Sequence, residues 1–217
     1  MKELLLVLLT ALLAWIGGRC SQKLPHYQTI RREIPARTLV TVTLATTGAT
    51  IAVWQSEMWL TSIFLALWSV LFALVAVIDI ETQVIPNLLI LPAIGAALAG
   101  SLVDPRLTFT SALLGAVVGF ALFYLLYHLG RLLYTNGLGR GDVNLSTFIG
   151  AVTGVESVLY SLLIGMIASA LILLLLLALR RVTLKSYVPY APYLCFGGWL
   201  GMLSCPNHQP VLLISIS

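Results

Sequence analysis

Two aspartates stand out in a chain that carries few charges. In "AVIDIETQVIPN" Asp79 follows directly on an apolar run, and in "TNGLGRGDVNLSTFIG" Asp142 directly precedes another, behind Gly137, Gly139 and Gly141. Two carboxyl groups brought to one site cannot both ionise cheaply, so such a pair holds a single proton. One member can take a proton from water as it attacks a peptide carbonyl. The other donates to the carbonyl oxygen and then assists the leaving amine. This chemistry requires no metal and no covalent enzyme intermediate. The glycines suit it: without a Cβ, Gly139 and Gly141 permit positive φ and the close approach of an extended substrate. Asp142 is placed to cap a helix beginning at Val143. The glycine stretch taken alone also reads as a flexible loop ending in a cap.

The elements that must position these residues follow from composition. Of 217 residues 59% are hydrophobic and 9% charged, with a mean hydropathy of +1.01, far from the roughly 25% charged residues of a globular chain. Apolar segments run at about 3–18, 38–55, 58–78, 85–103, 110–130, 156–179 and 187–203, with a shorter one at about 143–154. Continuous hydrophobicity excludes a transmembrane barrel, whose strands alternate. Backbone groups in lipid must be satisfied within the segment, which requires helices. The expectation is an all-α, polytopic membrane bundle of about eight transmembrane segments, one of them short, forming a single membrane-embedded domain over 1–217. Pro86 suits the first turn of the fourth segment, where its missing N–H costs nothing. "GAVVG" at 115–119 has small-xxx-small spacing, a frequent coincidence in apolar helices.

Basic residues set the orientation. If the segments alternate from an outer N-terminus, the loops at about 19–37, 79–84, 131–142 and 180–186 share one side. They hold ten of the twelve Lys and Arg, leaving Lys2 and Arg106 opposite. The ten-residue side is therefore expected to be cytoplasmic, and it is the side of both aspartates. The N-terminal run reads as a first membrane helix rather than a cleaved secretory signal, because its small-residue cleavage pattern is poor and Arg19 precedes Cys20.

The remaining polar residues have plainer readings. Glu3, Glu57, Asp104 and Glu156 are expected as solvated charges at outer ends, Glu33 within the basic first loop, and Glu81 in a solvated loop. His128 reads as a polar interface residue. Trp54, Trp59, Tyr187 and Tyr190 fit interfacial belts. Cys20, Cys195 and Cys205 are an odd set without a C-x-x-C pair, so neither a disulfide framework nor a metal site is indicated.

"DIETQVIPN" followed by "GLGRGD" resembles the prepilin peptidase family of bacterial type IV leader peptidases, membrane aspartyl proteases of the GxGD class. Their pattern is an Asp seven residues before an Ile-Pro-Asp/Asn motif's Pro, and a Gly-x-Gly-x-Gly-Asp motif some sixty-odd residues on. The resemblance implies that Asp79 and Asp142 are the catalytic pair. Gly139 and Gly141 match the signature glycines, Gly137 adds a match, and Pro86 and Asn87 belong to the supporting part of the first motif. "VPYAPYLCFGGW" resembles the family's Pro-Phe-Gly-Pro-type segment, and "WIGGRCSQKLP" loosely resembles the stretch after its first helix.

The resemblance also implies a prepilin or pseudopilin substrate with a basic leader ahead of an apolar helix. It implies location in the bacterial inner membrane, with the site facing the cytoplasm, the lipid bilayer as the other partner, no nucleic acid, and no cofactor for proteolysis. The chain departs from the pattern in three places, one of them the stretch "CPNHQPVLLISIS", which matches no part of it. Members that also methylate the new N-terminus usually have a larger first loop, often with two C-x-x-C pairs. Here the loop at about 19–37 holds Cys20 alone, which leaves methylation, and with it S-adenosylmethionine, open. Asn144 stands where the family usually has Lys. Two further readings fit parts of the sequence: a catalytically degenerate member, and a small transporter using membrane acids, which would place its acids midway across the bilayer.

Overall fold

The computed structural model describes residues 2–20, 37–55, 58–133, 139–180 and 189–204. Among the described residues regular structure is entirely helical: α1 (Lys2–Cys20), α2 (Arg37–Gln55), α3 (Trp59–Thr82), α4 (Asn87–Gly100), α5 (Phe109–Leu133), α6 (Arg140–Ala178) and α7 (Ala191–Leu203). Three stretches, Trp59–Thr82, Phe109–Leu132 and Arg140–Ala178, are long and apolar enough to cross a membrane. Hydroxyls within the helices turn back on their own backbone. Thr41 donates to Arg37 O, Ser69 to Leu65 O and Thr153 to Ile149 O, at 2.7 to 2.8 Å, so these buried donors are satisfied without water.

α3 is the most enclosed element and carries the core. Its Trp68 and Phe72 meet Phe148 of α6 edge-on, with ring centroids 5.6 and 5.4 Å apart, a favoured arrangement for aromatic quadrupoles. On the other side, Val70, Ala73 and Leu74 pack with Ala14 of α1 and Ala45 of α2. The small-xxx-small pair of α5 is a true contact. A Cβ on Gly115 would strike the carbonyl of Gly150, and one on Gly119 that of Ser146, so the two backbones touch. Ser146 Oγ adds a 3.0 Å hydrogen bond to Gly119 O.

The expected segments at 143–154 and 156–179 form one element, α6, broken at Gly154 with φ 74° and ψ 172°. That backbone region is accessible essentially to glycine alone. In a straight helix Ile149 and Gly165 would stand about 24 Å apart. Yet Gly198 of α7 abuts Ile149 while its neighbour Gly197 abuts Ser161 and Gly165, and Gly201 meets both Thr153 and Ser161. The arms before and after Gly154 therefore run side by side along α7. The fourth segment is shorter than its apolar run, spanning Asn87–Gly100 with Pro92 inside.

Several expectations are corrected. Pro86 is the residue before α4, at the N-cap position with φ −73° and ψ 116°, rather than in its first turn. Asp104 is no solvated charge. It is 7% exposed and paired with Arg106, whose Nη2 lies 2.6 Å from Asp104 Oδ2 and whose Nε and backbone N bond to Oδ1. The neighbouring Leu107 packs under Gly154, so this pair clips the α4–α5 link beneath the reversal. Glu156 is exposed as expected, and Trp54 and Trp59 are exposed. Glu33, Glu57, Tyr187, Cys205 and most of the loop at 19–37 lie outside the described residues.

Candidate active site

Asp79 occupies the last turn of α3. The helix stops at Thr82 because Gln83 takes the left-handed conformation, φ 55° and ψ 27°, and its N–H closes on Asp79 O at 2.8 Å. Thr82 Oγ1 donates to Ile78 O at 2.9 Å and fixes the same turn. Asp79 is 4% exposed. Its Oδ2 accepts the backbone N–H of Ala191 at 3.1 Å. Ala191 is the first residue of α7, so the carboxylate sits at the positive end of that helix, where unpaired N–H groups favour an anion.

Asp142 is in the first turn of α6 and 6% exposed. The expectation that it caps a helix from Val143 is corrected, because Gly139 is the N-cap and Asp142 the third helical residue. Its Oδ2 accepts the N–H of Gly139 at 3.2 Å. This is the reach-back half of a capping box; glycine has no side chain to supply the other half. The carboxylate is thus fixed by its own helix start. Asp79 and Asp142 lie within electrostatic reach of each other, in surroundings where water screens little.

Gly139 has φ −76°, and Gly154 is the only positive-φ glycine among the described residues. Gly139 and Gly141 therefore do not serve through left-handed backbone. Gly141 serves through proximity: a Cβ there would come within 2.8 Å of Ile85 Cβ. Its absence lets the start of α6 settle on the α3–α4 link. Asn144 Nδ2 donates to Asn87 Oδ1 at 3.0 Å, joining the second turn of α6 to the first residue of α4. The residue that departs from the family pattern is thereby bonded to the last residue of the first motif. Gly137 lies outside the described residues.

Glu81 is the clearest misreading from sequence. It is 3% exposed rather than solvated, and its Oε2 lies 3.0 Å from Nε of buried Arg37 at the start of α2. The pair ties α2 to the end of α3 beside Asp79. It also places Arg37, from the basic loop, at the same end of the bundle as the aspartates. Arg140 reaches that end too, with Nε donating to Tyr127 Oη at 3.3 Å. His128 is exposed and packs edge-on against Tyr124 and Tyr127. Among the described residues no cluster of His, Cys, Asp and Glu has the make-up of a metal site.

Two contributors escaped the sequence reading. Ala191 acts through its backbone, which no residue type advertises. Cys195, one turn further along α7, is buried within electrostatic reach of both carboxylates. The signal pointing to both was the "VPYAPYLCFGGW" segment, whose likeness to the family named no contact.

The type IV leader peptidase family model matches residues 63–175, a stretch that contains Asp79, Pro86, Asn87, the motif glycines and Asp142. A prepilin leader peptidase/N-methyltransferase of Aeromonas hydrophila is 29% identical over 191 residues, covering 87% of this chain and 63% of that protein. The protein of the same name from Pseudomonas putida is 30% identical over 137 residues, covering 63% of this chain and 47% of its own. That of Pseudomonas aeruginosa is 27% identical over 151 residues, with 69% and 50% covered. The chain thus spans less than two thirds of the length of these curated relatives. No solved structure matches it.

Proposed function

The chain belongs to the type IV leader peptidase family, and from that membership we propose that it is an aspartyl endopeptidase of prepilin-like or pseudopilin precursors. The observation that carries the reading is the convergence of Asp79 and Asp142. Each is buried, each is held by a backbone N–H, and the two are within electrostatic reach. With one proton shared, one carboxylate takes a proton from the attacking water while the other protonates the carbonyl oxygen. The tetrahedral intermediate then collapses: the C–N bond breaks and the amine leaves with a proton from the pair. The Ala191 and Gly139 N–H groups hold the two side chains in place through this cycle, so little reorganisation accompanies proton transfer.

The substrate in this reading presents a short basic leader followed by an apolar helix, cut at the cytoplasmic rim of the bacterial inner membrane. The reversal at Gly154 supports counting the arms of α6 as two passes and the bundle as about eight. Proteolysis proceeds without a cofactor. Methylation with S-adenosylmethionine is left out, because the first loop offers Cys20 alone where methylating relatives often have two C-x-x-C pairs. Glu81 is paired with Arg37, so a basic leader meets the carboxylate pair rather than a separate acidic platform. Co-expression with a prepilin-like precursor tests the proposal by mass spectrometry of the product. A shortened chain beginning at the apolar helix is expected; recovery of the full precursor alone, with both proteins in the membrane, contradicts it.

A further inference from the structure

A cavity of about 320 Å³ lies between α2, α3 and α7. Its walls converge on the carboxylates. On α3 it is lined by Ala73 and Ala76, and Ala76 stands one turn before Asp79 on the same helix face. On α7 it is lined by Cys195, one turn beyond Ala191, whose N–H holds Asp79. From there it extends to Ser69 and Trp199, about 10 Å along α3 at 1.5 Å per residue. The cavity therefore starts beside Asp79 and leads away from the end where Arg37 and Arg140 gather, into the apolar body of the bundle.

Its chemistry is settled by what its polar groups already do. Ser69 Oγ donates to Leu65 O at 2.7 Å and accepts from Trp199 Nε1 at 3.2 Å. Thr47 Oγ1 donates to Thr43 O at 2.8 Å. A ligand meets only hydrocarbon, aromatic faces and a thiol, so charged or strongly polar groups would be desolvated without compensation. The volume is roughly twice the ~150 Å³ that accommodates a benzene ring, enough for about two large apolar side chains. The rim is open laterally, since the lining residues Leu44, Ile51 and Phe196 are 42 to 51% exposed. A second apolar cavity, about 460 Å³ between α1 and the start of α3, is larger. It flanks Trp59 and Ile63, at the opposite end of α3 from Asp79, and has no such continuity.

We infer that the α2–α3–α7 cavity is the subsite for the first apolar side chains after the scissile bond, entered sideways from the bilayer by the substrate's apolar helix. This rests on the peptidase reading above and deepens it. The basic leader is excluded from the cavity and stays on the side of the bundle where the carboxylate pair lies. Selection then comes from the apolar segment, which suits a chain whose Glu81 is already engaged.

The test uses the full chain in phosphatidylcholine–phosphatidylglycerol vesicles and two synthetic peptides. Both carry a basic leader and an apolar segment, with either Leu or Ala at the first two positions after the cleaved bond. Ala73→Leu fills the cavity from α3, and Thr47→Leu narrows it from the exposed face of α2, where folding is not at stake. Each is expected to lower kcat/KM for the Leu peptide at least tenfold, through KM, and to leave the Ala peptide within twofold. Equal losses on both peptides, or no loss on either, overturn the inference. A benzoylphenylalanine at the first apolar position, presented to Asp142→Asn protein, is expected to cross-link to α2, α3 or α7 around the cavity. Cross-links confined to lipid, or to α1, α4 or α5, overturn it. Failure of the unmodified protein to cut either peptide would sink the peptidase reading instead, and the cross-linking map would still decide whether the cavity takes the apolar segment.

Discussion

The backbone N–H of Ala191 donates to Asp79 Oδ2 at 3.1 Å, joining residues 112 apart in the chain. The bond makes the start of α7 part of the carboxylate's setting, and it separates two replacements of Asp79 that chemistry alone would rank together. Asn keeps an oxygen to accept the N–H, whereas Ala leaves a buried donor unmatched, at a cost of about 1–3 kcal/mol. Both variants are expected to lose leader cleavage. Thermal unfolding in detergent should show Asp79→Ala several degrees below Asp79→Asn; equal midpoints would contradict the role assigned to this bond.

Gly141 is required by proximity to Ile85, since a Cβ would sit 2.8 Å from Ile85 Cβ. Gly141→Ala should push the start of α6 off the α3–α4 link and misplace Asp142, lowering kcat at least tenfold, in line with the sensitivity of catalysis to misplacements of about 1 Å. Removing the neighbour's Cβ with Ile85→Gly in the same chain should restore part of the loss. A double variant no better than Gly141→Ala would refute the contact as the cause.

The Asn87–Asn144 hydrogen bond, 3.0 Å long, joins the starts of α4 and α6 at a partly exposed position. A neutral bond of this kind contributes about 0.5–1.5 kcal/mol. Asn87→Ala and Asn144→Ala should each reduce kcat/KM by a few-fold. Their combination should do no more than either alone, because both remove one interaction. Fully additive losses in a double-mutant cycle would show that the two amides act separately.

Glu81 and Arg37 are buried together, 3.0 Å apart. Removing one member of such a pair typically costs about 3–5 kcal/mol, while exchanging both for apolar residues of similar size is often nearly neutral. Glu81→Met or Arg37→Met alone should therefore lower membrane yield and the unfolding midpoint more than the double replacement does. A double variant less stable than both singles would contradict this account of the pair.

The sequence made the helical class and both aspartates legible, because a run of apolar residues and a GxGD-type signature are local features. What it hid depends on contacts. Glu81 read as solvated since nothing near it in the chain announces Arg37, 44 residues earlier. Asp142 read as a cap because Val143 opens the apolar run, whereas the helix begins at Arg140, ahead of that run. The small-xxx-small pair Gly115 and Gly119 looked like coincidence until Gly150 and Ser146 were found opposite. Gly154 interrupts an apolar stretch without any polar marker, and its role as a reversal emerges only from its φ of 74° and the packing of α7.

The central claim is that Asp79 and Asp142 act as one proton-sharing pair on a single water. The most direct measurement is single-turnover cleavage of a prepilin-like peptide by purified Asp79→Asn, Asp142→Asn and the double variant in vesicles. The account predicts that either replacement slows cleavage by about 10²–10⁴-fold and that the double variant is no slower than the singles. Cleavage by Asp142→Asn at the unmodified rate would contradict it.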